Sequence, residues 1–150
     1  MMEKFKMIRN LFFLVSTMIF IVSCGGDDEV DLDNYLTGKW HSYKAVVSAQ
    51  NKSIDVNVSK TGKNSQFYYE VVFKSDNKVE LSYYEVDDNM ASRWKTDTGS
   101  YSVNGDVVTV YDENASIDFM YNSKDKTMYM RAAGEVEDVG YTTVFLYFKK

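Results

Sequence analysis

The 150 residues contain no proline, one cysteine and one histidine. A lone cysteine cannot close an intrachain disulfide. One histidine and one cysteine fall short of the ligand set that a zinc site takes. The histidine, His41, has Ser42 beside it on an expected strand. Adjacent side chains on a strand point to opposite faces, so the two cannot pair as base and nucleophile. His41 therefore reads as an ordinary surface residue. No glycine-rich phosphate cradle follows a strand. Asp31-x-Asp33 opens like a calcium loop, but Tyr35 stands where an oxygen ligand is required and Leu36 where the sharp turn needs glycine. Asp87-Asp88, Asp112-Glu113 and Glu135-Glu137-Asp138 fall in expected loops. They read as solvated turns, with weak Ca²⁺ binding as the alternative. No enzyme activity, metal or cofactor is expected.

Long apolar runs are also scarce, and the one present lies near the start. Lys4, Lys6 and Arg9 precede it, and Leu11 through Val22 is broken only by Ser16 and Thr17. A membrane-spanning helix needs about 20 such residues, and this run is shorter. A basic start, a short apolar run and the small Ser23 read as a cleaved signal peptide. Ile21-Val22-Ser23-Cys24 resembles the bacterial lipobox. The resemblance implies cleavage before Cys24, a diacylglycerol on its thiol and membrane attachment through that lipid. Two or more acyl chains give stable anchoring where one gives only marginal binding. The alternative is an ordinary secretory peptide with an incidental cysteine.

Residues 1–23 are thus read as leader, residues 24–35 as lipidated cysteine and acidic flexible tether, and residues 36–150 as one folded domain. The tether carries Asp27, Asp28 and Glu29, then Asp31 and Asp33. It reads either as a solvated spacer or, because such runs resemble those of surface-displayed Bacteroidota lipoproteins, as a surface-export signal. The second reading places the domain on the cell surface of the outer membrane; the first leaves the periplasmic face open. Removing Lys4, Lys6, Arg9 and Glu3 from 17 basic and 22 acidic residues leaves 14 and 21, a net charge of −7. A domain of that sign has no electrostatic reason to bind nucleic acid. Its length suits a single domain that needs no disulfide, and a monomer is expected.

The folded part alternates apolar and polar residues and is rich in tyrosine, which predicts an all-β domain. Tyr69, Val71 and Phe73 share one face, as do Val79, Leu81 and Tyr83. A three-residue loop Asp76-Asn77-Lys78 between them opposes Phe73 to Leu81 and Val71 to Tyr83, with Lys74 opposite Glu80 on the wet face. Asn104-Gly105 predicts a two-residue type I′ turn that opposes Tyr101 to Val108 and Gly99 to Val110. A turn at Glu113-Asn114 opposes Val110 to Ile117 and Val108 to Phe119. A turn at Lys124-Asp125 opposes Phe119 to Met130 and Tyr121 to Met128. A last strand from Tyr141 to Phe148 returns Val144, Leu146 and Phe148 to Met128 and Met130, after an exposed acidic linker from Ala133 to Gly140. Upstream, Lys39 to Ala49 and Ile54 to Val58 are expected strands, and Ser92 to Thr98 extends the strand of Tyr101. The sum is an antiparallel meander of about eight strands closing into a small barrel, which removes its edges. A two-sheet β-sandwich is the alternative.

Gly38-Lys39-Trp40 opens the first strand with Gly-x-Trp, and the stretch from Trp94 to Val110 encloses Gly99-Ser100-Tyr101-Ser102-Val103-Asn104-Gly105. In these features the chain is similar to the lipocalin-like domains of Bacteroidota lipoproteins, from about Leu36 to Lys149. The resemblance implies that Trp40 plugs the closed end of the barrel beneath a basic side chain, for which Arg131 is the candidate. It also implies a ligand-binding interior.

Two roles follow. In the first, the barrel holds a small apolar molecule lined by Tyr69, Val71, Tyr83, Tyr101, Phe119 and Met130. In the second, the core is solid and the outer face meets an envelope protein or glycan. Adjacent tyrosines such as Tyr68-Tyr69 and Tyr83-Tyr84 put one ring of each pair outside the core. Such rings suit contacts with a partner, or they reflect β propensity on a half-wet sheet.

Overall fold

The computed structural model describes residues 35–89 and 91–150. The leader, Cys24 and the acidic Asp27, Asp28 and Glu29 lie outside the described residues. Nine strands form one antiparallel sheet: β1 (Gly38–Ala49), β2 (Lys52–Asn57), β3 (Tyr69–Phe73), β4 (Lys78–Val86), β5 (Ser92–Asn104), β6 (Val107–Tyr111), β7 (Ser116–Asn122), β8 (Thr127–Val136) and β9 (Gly140–Lys149). A 3₁₀ turn, Ser65–Phe67, leads into β3. The spatial order runs β2-β1-β3 and then in sequence to β9, which pairs back onto β1. Pairs from His41↔Lys149 to Ala49↔Thr142 make that closure. It sets aside the sandwich. Eight strands wall the barrel, and β2 is an additional strand on the second half of β1.

Alternation sets which side chains enter the barrel. The inward sets include Val71 and Phe73, Val108 and Val110, Met128 and Met130, and Val144, Leu146 and Phe148, all buried. In β1 the inward positions change parity. Trp40 and Ser42 are buried, and so is Ala45. The pairing with β9 shifts between Ser42 and Lys44. An extra residue at Tyr43 is what a β-bulge supplies, and it re-aims the rest of the strand.

Two hairpins form as the alternation predicts: Val110 opposes Ile117 and Val108 opposes Phe119, while Phe119 opposes Met130 and Tyr121 opposes Met128. Two others are displaced by two residues. Phe73 pairs with Val79 and Val71 with Leu81, so the loop is Ser75-Asp76-Asn77. Its last residue, Asn77, has φ +60°, and three-residue hairpins place their left-handed residue last. Lys74 still pairs with Glu80, as a diagonal rather than a directly opposed neighbour. Tyr101 pairs with Val110 and Asn104 with Val107, so the turn is Gly105-Asp106. Only Gly105, at φ +58°, is positive there. That is the II′ pattern, with glycine first, rather than I′.

The stretch from Ala133 to Gly140 is not an exposed linker. β8 continues to Val136 and pairs with β9 as far as Gly140, and Ala133 and Val136 are buried. Gly99 is constrained by packing: a Cβ there would stand 2.6 Å from the Tyr111 carbonyl oxygen. A bare Cα lets β6 approach β5 at the point where their pairing ends.

Candidate functional site

The barrel has one packed end and one looser end. Trp40 fills the first. Its ring meets Tyr121 edge to face, with centroids 6.1 Å apart, and its Nε1–H donates to the Leu36 carbonyl oxygen at 2.8 Å. Burial, and then the nearby Tyr35, raise the Tyr121 phenol above its ordinary pKa. Phe119 packs edge-on between Phe73 and Phe148, and Phe73 meets Tyr101 at 5.0 Å. The cation over Trp40 comes from Lys150, with Nζ 5.5 Å from the ring centroid. Arg131 does not take that place. On β8 it stands between the inward Met130 and Ala132 and opposes Phe145 of β9, and it is exposed on the outer face.

Toward the opposite end the inward side chains are less covered. Val47, Tyr69, Leu81 and Ile117 are only partly buried, yet they pack against the core. Tyr69 stacks on Tyr83 at 5.7 Å, and the Tyr83 hydroxyl donates to Asp97 Oδ2 at 2.7 Å. The six residues expected as lining therefore separate. Val71, Tyr83, Tyr101, Phe119 and Met130 are buried. Tyr69 alone is partly buried, stacked on Tyr83. Val47, Leu81 and Ile117 are also only partly buried. Each lies on an inward face; Val47 and Ile117 are on the parts of their strands away from Trp40, whereas Leu81 opposes Val71, the direct partner of Trp40.

The wall opens beside this end. β6 makes its last pair, Tyr111 with Ser100, and the chain turns at Asp112, whose Oδ1 accepts from the amides of Asn114 and Ala115. β5 continues past Gly99 to Ser92 with β4 as its one strand partner among the described residues. A slot of about 50 Å³ between the diverging strands reaches the inward Leu81, Val110 and Ile117. It shares Val79, Thr98, Gly99, Tyr111 and Asp112 with a groove of about 600 Å³ on the outer face, bordered by Lys74, Lys78, Glu80 and Ser100.

A second cluster sits outside the wall. Trp94 meets Tyr84 at 4.8 Å and Tyr68 at 6.0 Å, and Lys60 Nζ lies 4.2 Å from the Trp94 ring centroid. The Tyr68 hydroxyl donates to Glu70 Oε1 at 3.0 Å. Lys39 and Lys60 reach Glu70 at 2.9 and 3.5 Å. Burial acts to raise the Glu70 pKa, but hydrogen bonds from Lys39 and Tyr68 and the two lysine charges outweigh it, so the carboxyl lies below its usual value. Burial, helped by the bond to Glu70, pushes the Tyr68 phenol up to about 12. His41, 6.4 Å from Tyr68, is lowered mainly by burial and then by Lys149. His41 is therefore part of this cluster rather than an isolated surface residue. Among the described residues, no three acidic, histidine or cysteine side chains gather to hold a metal ion.

A family model described as a lipocalin-like domain matches residues 36–142. No curated protein matches the chain. Solved structures similar to it include bovine odorant-binding protein complexed with its natural ligand, 16% identical with a TM-score of 0.40, covering 85% of this chain and 77% of that one. Aphrodisin, a sex pheromone from female hamster, is 16% identical with a TM-score of 0.38, covering 77% and 74%. The siderocalin Ex-FABP is 14% identical with a TM-score of 0.42, covering 77% and 73%.

Proposed function

The chain belongs to the lipocalin-like domain family, and from that premise we propose that it is a lipid-anchored binding protein that takes a small apolar molecule into its barrel. Lipocalin-like domains typically bind small hydrophobic ligands. The observation that carries the reading here is the asymmetry of the interior. Trp40, Phe73, Phe119 and Phe148 close one end to solvent, whereas Val47 and Ile117, away from Trp40, face inward without being fully covered, as does Leu81 beside Val71. Apolar walls with a few polar groups, here Asp97 and the Tyr83 hydroxyl that donates to it, are the usual makeup of a small-molecule site.

Anchoring rests on the leader and Cys24, and display on the cell surface of the outer membrane rests on Asp27, Asp28 and Glu29. A lipid on Cys24 would hold the barrel near a membrane, where apolar molecules concentrate. Native mass spectrometry of the full chain extracted from its own cells tests the binding reading. A mass excess beyond the anchor lipid, removed by organic solvent, is the expected result. A single ligand-free mass under gentle extraction would count against it.

A second reading is favoured by the exposed Trp94 against Tyr84, with the buried Tyr68 behind it: an envelope protein- or glycan-interaction module. It predicts that Trp94→Ala abolishes binding to isolated envelope material and that no small molecule accompanies the barrel.

A further inference from the structure

We infer that the Trp40 end of the barrel, with the outer wall of β8 and β9 beside it, rests on a membrane surface of anionic lipid headgroups and turns the looser end away from it. This inference rests on the anchoring reading above.

Alternation sends Met130 and Leu146 into the core and leaves their strand neighbours outside. Tyr129 therefore meets Tyr147 and Phe145 on the outer wall, with centroids 5.8 and 6.1 Å apart, and all three rings are half-buried. Cations surround them. Lys149 Nζ stands 4.9 Å from the Tyr43 ring centroid, and Lys126 Nζ stands 5.3 Å from that of Tyr35. Arg131 is exposed on the same face. Lys124, Lys126, Arg131, Lys149 and Lys150 are all exposed, and among the described residues none of them pairs with a carboxylate. The carboxylates within this sector are Asp125, which accepts from Asn122, and the terminal group of Lys150.

The turns at the other end have the opposite charge. They carry Asp87, Asp88, Asp112, Glu113, Glu137 and Asp138, with no lysine or arginine within them. Charges sorted in this way orient a domain against a charged surface even when its net charge is repelled. Half-buried rings with lysines and an arginine among them suit a headgroup layer, where the apolar body of a side chain is covered and its polar tip stays wet. The exit of the chain favours lipid over a protein partner. Tyr35, with Lys126 over its ring, opens the described residues and lies eleven positions after Cys24. Eleven residues reach at most about 40 Å, so a lipid on Cys24 holds this end of the barrel near the membrane.

The experiment adds the protein, lipidated and processed by its own cells, to vesicles of phosphatidylcholine alone and to vesicles with about one third phosphatidylglycerol. Acetylation of each lysine is followed by mass spectrometry. On the anionic vesicles, Lys124, Lys126 and Lys149 should react at least threefold more slowly than on the neutral ones, while Lys52 and Lys95, nearer the other end, should be unchanged. Salt at about 1 M, which shortens the screening length to about 3 Å, should remove the difference. Lys124→Glu combined with Lys126→Glu, both in an exposed turn, should cut the protection of Lys149 at least twofold. Equal rates on the two vesicles, stronger protection of Lys52 and Lys95, or full protection of Lys149 in the double variant would overturn the inference. So would protection that needs no vesicle and disappears when Asp27, Asp28, Glu29, Asp31 and Asp33 are made neutral, which would assign the patch to the chain's own acidic segment. Protein that floats with neither vesicle would instead sink the anchoring reading.

Discussion

The ammonium of Lys150 stands 5.5 Å from the centroid of the Trp40 ring and donates to the Thr37 carbonyl oxygen at 2.9 Å. The two residues lie at opposite ends of the described chain, and their contact closes the barrel where β1 begins and β9 ends. Trp40→Ala removes the largest buried side chain and should lower stability by about 3–5 kcal/mol. Lys150→Met keeps the stem and loses the charge, at about 0.5–1 kcal/mol. Arg131→Ala should stay within about 0.5 kcal/mol, as expected of an exposed residue. Denaturant unfolding of the three variants checks the order; a large loss in Arg131→Ala would return that residue to the plug.

Ser42 ties the segment before β3 to the core. Its hydroxyl donates to the Phe67 carbonyl oxygen and accepts from the Tyr69 amide, both at 2.8 Å, and the residue is buried. Ser42→Ala leaves two backbone groups without that partner, at roughly 1–3 kcal/mol for each one left unsatisfied. A loss of about 2–4 kcal/mol in equilibrium unfolding is expected, together with faster amide exchange at Tyr69. A loss below half a kilocalorie would mean that water replaces the hydroxyl.

Glu70 and Tyr68 give stability two pH limits. The folded Glu70 pKa lies below its unfolded value, so the native state binds fewer protons. Its contribution is present above the usual carboxylate pKa of about 4.3 and is lost as pH falls through the lowered folded value. Tyr68 behaves oppositely. Its folded pKa of about 12 exceeds the ordinary 10, so its contribution is full below pH 10 and declines between 10 and 12. Melting temperature against pH should fall at both ends. Glu70→Gln should flatten the acid limb and Tyr68→Phe the alkaline one. Unchanged limbs in these variants would assign the pH dependence to other groups.

Membrane attachment is expected to depend on one atom, the Cys24 sulfur. Cys24→Ala should abolish incorporation of labelled fatty acid and move the protein to the soluble fraction. Neutral replacements at Asp27, Asp28 and Glu29 should keep the lipid but remove protease access on intact cells. Cys24→Ala protein that still sediments with membranes would leave the leader as an ordinary export signal.

Much of the sheet was legible because alternation and turn chemistry agreed. The register from Val110–Ile117 to Phe119–Met130 emerges as read. Both displaced hairpins slip by two residues, the error that alternation cannot detect, since a slip of two keeps every side chain on its face. Asn77 and Gly105 decide those registers through positive φ, and the position a left-handed residue takes within its loop settles each one. At the site, alternation identified inward residues, but it carries no information on position along the barrel axis. Tyr101 and Tyr83 both point in; one is held in the core against Phe73 and the other reaches Asp97 nearer the looser end.

The sequence by itself determined the all-β class, the faces of the strands and the lack of an intrachain disulfide partner for Cys24 among these residues. These follow from period-two patterning and from residue counts, which are local properties. Only the tertiary structure decided that β9 closes on β1, that Lys150 rather than Arg131 covers Trp40, and that β5 and β6 part at Tyr111. Each of these depends on where strand ends meet in space. That position accumulates from every bulge, turn and shift between them, including the extra residue at Tyr43 that re-aims half of β1.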